Sequence, residues 1–141
     1  MTPEEQKSLI RSIYDPKIGF DIEKFYAHAA ADMVFIRPPF PPVVGAEANR
    51  KSDEALLAAF SGYTLVIEEV LAEGDKVVMS YVWKGVHTGT LPTLGIPATG
   101  KAVEAPGCII FHFKEDKIVK SVDYFDMLGF MQQLGLIPAA A

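Results

Sequence analysis

At Tyr63 the sequence changes period. Upstream of it apolar residues recur every three to four positions. Downstream, four runs rich in β-branched and aromatic residues follow one another: "TLVIEEVLAEG", "KVVMSYVWKGVH", "AVEAPGCIIFHF" and "KIVKSVDYF". Gly74-Asp75, a long Gly/Pro loop and Glu115-Asp116 separate them. Helices followed by a meander of strands predict an α+β domain, its helices packed on one face of a curved antiparallel sheet, rather than a parallel βαβ fold. The 141 residues carry no repeat and no linker, so the chain reads as one domain, 1–141, large enough to enclose a core and a cavity.

The helical part has its own punctuation. Thr2, Pro3 and Glu5 form a capping-box start with proline at the first helical position, followed by Leu9, Ile10, Ile13 and Tyr14 at helical spacing. Asp21 caps a second helix through Phe25 and Tyr26. A short strand, "MVFIR", then stops at the cluster Pro38, Pro39, Pro41 and Pro42. Ser52 is the expected cap of a third helix bearing Leu56, Leu57 and Phe60, and Asp126 that of a closing helix near "MLGFMQQLG".

Charge and composition exclude several functions. A net charge of -5 leaves no basic field for nucleic acid. No apolar run reaches the eighteen or so residues of a membrane span, and "MTPEEQKSLI" is acidic and helical rather than a signal peptide, so a cytoplasmic protein is expected. Cys108 is the only cysteine, and no Cys or His pair has zinc-like spacing, so neither a disulfide nor a metal is expected.

The residues that raise a chemical question are in "HFKEDKIVKSVDYFD", where Asp123 and Asp126 stand among Val122, Tyr124 and Phe125. Alternation places Val119, Ser121, Asp123 and Phe125 on one strand face and Ile118, Lys120, Val122 and Tyr124 on the other. A bulged three-residue turn at "KEDK", with Asp116 left-handed, would pair Phe113 with Lys117 and Gly107 with Asp123; a plain two-residue turn would exchange the faces. With the bulge, Asp123 shares a face with Ile109, Phe111 and Phe125, and on the neighbouring strand Met79, Tyr81, Trp83, Gly85 and His87 share one face. An aromatic concavity with Asp123 and His87 on its wall then follows, and Phe35, Tyr81, Trp83, Ile109 and Phe111 become candidate substrate-binding residues. Burial would raise the carboxyl pKa and a neighbouring imidazole could share the proton. The bland alternatives stay open: a solvated strand aspartate, a polar loop-edge His87, and Trp83 and Phe111 as plain core. His28 and His112 fall outside this face. The loop from Thr88 to Lys101, with Gly89, Gly95, Gly100, Pro92 and Pro97, reads either as a lid or as a solvated or subunit-contact loop.

The segments "GVHTG", "GIPATGK" and "EDKIVKSVDYFDMLGFMQQLG" resemble the SnoaL-like polyketide cyclases, or ester cyclases, across the C-terminal two thirds of the chain. The resemblance implies the cone-shaped α+β barrel of nuclear transport factor two and ketosteroid isomerase. It implies cofactor-free chemistry on a hydrophobic small molecule, an intramolecular aldol closure in which Asp123 is the general acid/base and His87 its partner, and a homodimer. Two positions depart from the family pattern, Val122 for its tryptophan and Ile109 for its second cavity histidine. "DYFD" also resembles limonene-epoxide hydrolase, whose catalytic aspartate again falls on Asp123. The arginine and second aspartate of that family fall on Gly85 and His87, which disfavours its relay. An isomerase and a ligand-binding domain without turnover are the remaining alternatives.

Overall fold

The computed structural model describes residues 1–91 and 94–138. Ten elements follow one another among the described residues: α1 (Pro3–Ile13), α2 (Ile22–Ala27), β1 (Ala29–Ile36), β2 (Val43–Val44), α3 (Ala46–Ala59), β3 (Phe60–Glu73), β4 (Lys76–His87), β5 (Ala102–Lys114), β6 (Lys117–Phe125) and α4 (Met127–Gln133). The strands form one mixed sheet in the order β2-β1-β6-β5-β4-β3, antiparallel throughout except where β1 runs parallel to β6. Register shifts in β3 between Ser61 and Thr64 and between Ile67 and Glu69 bend the long hairpin, because an unpaired residue increases local twist. The helices α1 and α3 pack against the sheet, and the core lies between them. The arrangement is the expected α+β one, helices packed on a curved sheet.

Local chemistry accounts for most boundaries. The Thr2 hydroxyl accepts from the Glu5 amide while the Glu5 carboxylate accepts from the Thr2 amide, closing the capping box of α1. Asp21 and Asp126 cap α2 and α4, accepting from the amides of Lys24 and Gly129. Ser52 does not cap α3. That helix begins two turns earlier, after Gly45 at a φ of 98°, and Ser52 lies in its middle. The reason is Asn49, whose side-chain amide donates to the carbonyls of Val43 and Gly45 and ties the first turn to β2, so that the polar stretch "AEANRKSD" becomes helix.

The β5–β6 hairpin reaches the expected facing by a different route. Glu115 and Asp116 both have positive φ, 50° and 64°, and make a two-residue turn that pairs Lys114 with Lys117 and Phe113 with Ile118. That turn alone would send Asp123 outward. A register shift just beyond Ile118 then pairs His112 with Lys120 and Ile109 with Asp123, which returns Ser121, Asp123 and Phe125 to the inner face. The expected pairs Phe113 with Lys117 and Gly107 with Asp123 are therefore each displaced. Gly107 faces Phe125 and, across the other edge, Tyr81. No helix among the described residues is long and apolar enough to cross a membrane.

Candidate functional site

The inner face of β4 alternates cleanly: Val77, Met79, Tyr81, Trp83, Gly85 and His87 are all buried. With Ile109, Phe111, Ser121, Asp123 and Phe125 from β5 and β6 they make a concave wall, and α2, α3 and β1 close it on the other side. The resulting cavity is about 160 Å³. Phe35, Tyr81, Trp83, Ile109 and Phe111, the five side chains expected to bind substrate, all line it. Leu91 and Leu94 bring the Thr88 to Lys101 loop to its wall; Pro92 of that loop lies outside the described residues.

Asp123 is 2% exposed and partnered at both oxygens. Its Oδ1 accepts from the Tyr81 hydroxyl at 2.7 Å, and its Oδ2 accepts from both Nε and Nη2 of Arg37 at 2.9 Å. Arg37 follows β1 directly. Because β1 runs parallel to β6 with Phe35 beside Ser121 and Ile36 beside Val122, the next residue arrives beside Asp123. Its guanidinium also lies 4.8 Å from the Phe35 ring centre and 5.5 Å from that of Phe125, and 28% of its side chain remains accessible. Burial works against the Arg37 cation, but the Asp123 carboxylate more than compensates and holds its pKa above the ordinary value. Burial first, and then the Asp123 charge and hydrogen bond, push the Tyr81 hydroxyl well up, so Tyr81 serves as a donor.

His87 is not the partner of Asp123. It lies six residues beyond Tyr81 on β4, which is about 20 Å along an extended strand. It is fully buried, its ring packs beside Phe60, and its Nδ1 meets the Thr99 hydroxyl and amide. The His87 backbone also pairs with Lys101 and Gly100. The residue therefore ties down the end of the long loop. The carboxylate that was expected to need a histidine is satisfied by a cation and a phenol from other strands.

Sequence reasoning missed a second acid as well. Asn49, Ser52, Asp53, Leu56 and Leu57 follow helical spacing along α3 and all face the cavity. Asp53 accepts a hydrogen bond from the Tyr26 hydroxyl of α2. Burial pushes its carboxyl up to about 6, against the lowering influence of the Tyr26 hydrogen bond and of the Arg37 charge. Ser121, 1% exposed on the same wall, leaves its hydroxyl without a partner among the described residues. No three His, Cys, Asp or Glu side chains converge as a metal cluster among the described residues.

The family profile described as SnoaL-like polyketide cyclase matches residues 18–134. Among solved structures, a protein from Jannaschia sp. CCS1 described as a SnoaL-like polyketide cyclase is 21% identical with a TM-score of 0.84, covering 98% of both chains. A protein from Catenulispora acidiphila with a ketosteroid isomerase-like fold, solved with trimethylamine, is 17% identical with a TM-score of 0.73, over 96% of this chain and 95% of its own. An epoxide hydrolase of the limonene-epoxide type from M. tuberculosis is 16% identical with a TM-score of 0.71, over 97% and 98%. At these identities the likeness is one of fold. No curated protein matches the chain.

Proposed function

Because the chain belongs to the SnoaL-like polyketide cyclase family, we propose that it performs cofactor-independent acid/base chemistry on a hydrophobic carbonyl compound held in the central cavity, with Asp123 as the proton-moving group. The observation that carries this reading is the placement of Asp123. It is the carboxylate on the sheet side of an aromatic cavity, fixed at both oxygens by Tyr81 and Arg37. Fixed donors hold one orientation, and a carboxylate so held still has one lone pair, on Oδ1, to offer a C–H beside a carbonyl. Removing that proton turns the ketone into an enol or enolate. Attack of this carbon on a second carbonyl of the same molecule closes a ring, and return of the proton to another carbon gives an isomer. The Arg37 charge beside the site favours an anionic oxygen as it develops. His87 takes no part in the step.

The test is Asp123→Asn, assayed on a panel of aromatic ketones and polyketone esters. The amide keeps the shape and still accepts from Arg37, so the variant should fold, less stably for the lost charge, and still bind ligand while the rate falls on the order of a hundredfold or more. Undiminished turnover would sink the proposal. Epoxide opening is the second reading, because Arg37 supplies from just beyond β1 the guanidinium that Gly85 cannot. Hydration of an epoxide by a protein inert to ketones would select it.

The same reading includes a homodimer through the outer sheet face, where Val66 and Tyr124 are 45% and 55% exposed. Sedimentation should give twice the chain mass, and Tyr124→Lys should lower it to one. A parent that sediments as a monomer removes the dimer.

A further inference from the structure

The cavity has two acidic walls, and only one of them has a role so far. Asp123 stands on the sheet side, while Asp53 looks in from α3, held by the Tyr26 hydroxyl of α2. An aldol or enolisation step moves two protons, one leaving carbon and one arriving at oxygen. We propose that Asp53 is the second catalytic residue of this pocket, the acid that delivers a proton to the substrate carbonyl oxygen while Asp123 takes one from the adjacent carbon. The proposal rests on the ketone reading above and names the group that completes it.

The two carboxylates differ in their surroundings as the two tasks require. Asp123 receives three donors, two of them from a cation. Asp53 receives one, from a phenol, in a setting whose main effect is desolvation. The charged groups around it do not reverse this. Arg37 on the β1 side is committed to Asp123, and the next residue, Glu54, opposes ionisation of Asp53. Arg50, one turn earlier on α3, is bound by Glu23 and Glu54 and lies over the Tyr26 ring. Asp53 thus keeps its proton up to about pH 6, while Asp123, held by three donors, stands across the cavity as the acceptor.

The step balances without a co-reactant. The C–H bond breaks and its proton goes to Asp123. The electron pair forms C=C, the carbonyl π pair moves to oxygen, and that oxygen takes the Asp53 proton. In ring closure the enol returns its proton to Asp53 as C–C forms, and Asp123 gives its proton to the second carbonyl oxygen. Neither residue is consumed.

The probe is 2-tetralone in D2O, whose α-hydrogens are lost to deuterium whenever the enol forms and reverts, followed by proton NMR. With the parent protein, exchange should fall as pH rises through about 6, since the acid form of Asp53 is the one required. Asp53→Asn can still accept from Tyr26 but carries no acidic proton, and should slow exchange roughly a hundredfold and erase that limb. Carboxyl-13C NMR of the parent, with the Asp53 signal assigned by its loss in the variant, should show the same midpoint. A midpoint near the ordinary value of about 4 overturns the proposal. Tyr26→Phe removes a hydrogen bond that lowers the Asp53 pKa, so it should move midpoint and limb together to higher pH. If Asp53→Asn does not fold, this variant decides, and a limb that stays put overturns the role. Exchange abolished by Asp123→Asn yet untouched by Asp53→Asn removes Asp53 alone. No exchange by the parent removes the ketone reading and this role with it.

Discussion

Arg37→Met should cost the fold roughly 3–5 kcal/mol, the range found when one partner of a buried ion pair is removed. The effect is large because Asp123 is 2% exposed and both donors to its Oδ2 belong to Arg37. With methionine at position 37, Tyr81 is the remaining contact, and a single phenol does not replace a guanidinium held at 2.9 Å by two nitrogens. Chemical denaturation of the variant against the parent reads the difference directly. The double variant Arg37→Met with Asp123→Leu should recover most of the loss, since an apolar pair of similar volume avoids burying a lone charge. A single-variant loss below about 1 kcal/mol would mean that the pair behaves like an exposed salt bridge, and the electrostatic account of the site would be wrong.

Gly107→Val should be nearly as damaging, at roughly 3 kcal/mol, the upper part of the usual range for overpacking. Gly107 pairs directly with Tyr81, and a side chain there would run into the Tyr81 hydroxyl and ring. The ring lies over the glycine on its way to Asp123, so it cannot yield without losing its hydrogen bond. Stability and tetralone exchange should fall together. In a Tyr81→Ala background the same valine should cost little, and this coupling separates a clash with the ring from a general weakness of valine in β5. Equal costs in both backgrounds would refute the explanation.

Much of this molecule was legible in its sequence because the signals are local. The capping box at Thr2, the caps at Asp21 and Asp126, and the alternation of β4 each depend on residues within a few positions of one another. Tyr81 and Trp83 follow from that alternation, and Ile109 and Phe111 from the like alternation of β5. The partners of Asp123 do not. Arg37 is 86 positions away and comes alongside only because β1 runs parallel to β6, a pairing that no pattern in "MVFIR" announces. His87 misled because it shares a face with Tyr81, and periodicity tells which side a residue is on but not how far along the strand it lies. Asp53 was within reach of a pattern argument. The stripe read as Leu56, Leu57 and Phe60 continues backward through Asp53, Ser52 and Asn49, but polar residues on a helix are ordinarily taken for its wet side.

The β5–β6 hairpin sets an arithmetic condition on the chain. With the two-residue turn kept, one residue fewer at the irregularity beyond Ile118 would leave the hydrogen-bonded rungs available yet present Val122 and Tyr124 to the cavity and Asp123 to water. Such a chain would fold around a pocket without its acid. The length between Phe113 and Asp123 is therefore quantised. Beyond Ile118 a change of two residues keeps the facing of Asp123 and a change of one reverses it, unless a bulge takes up the odd residue as it does here.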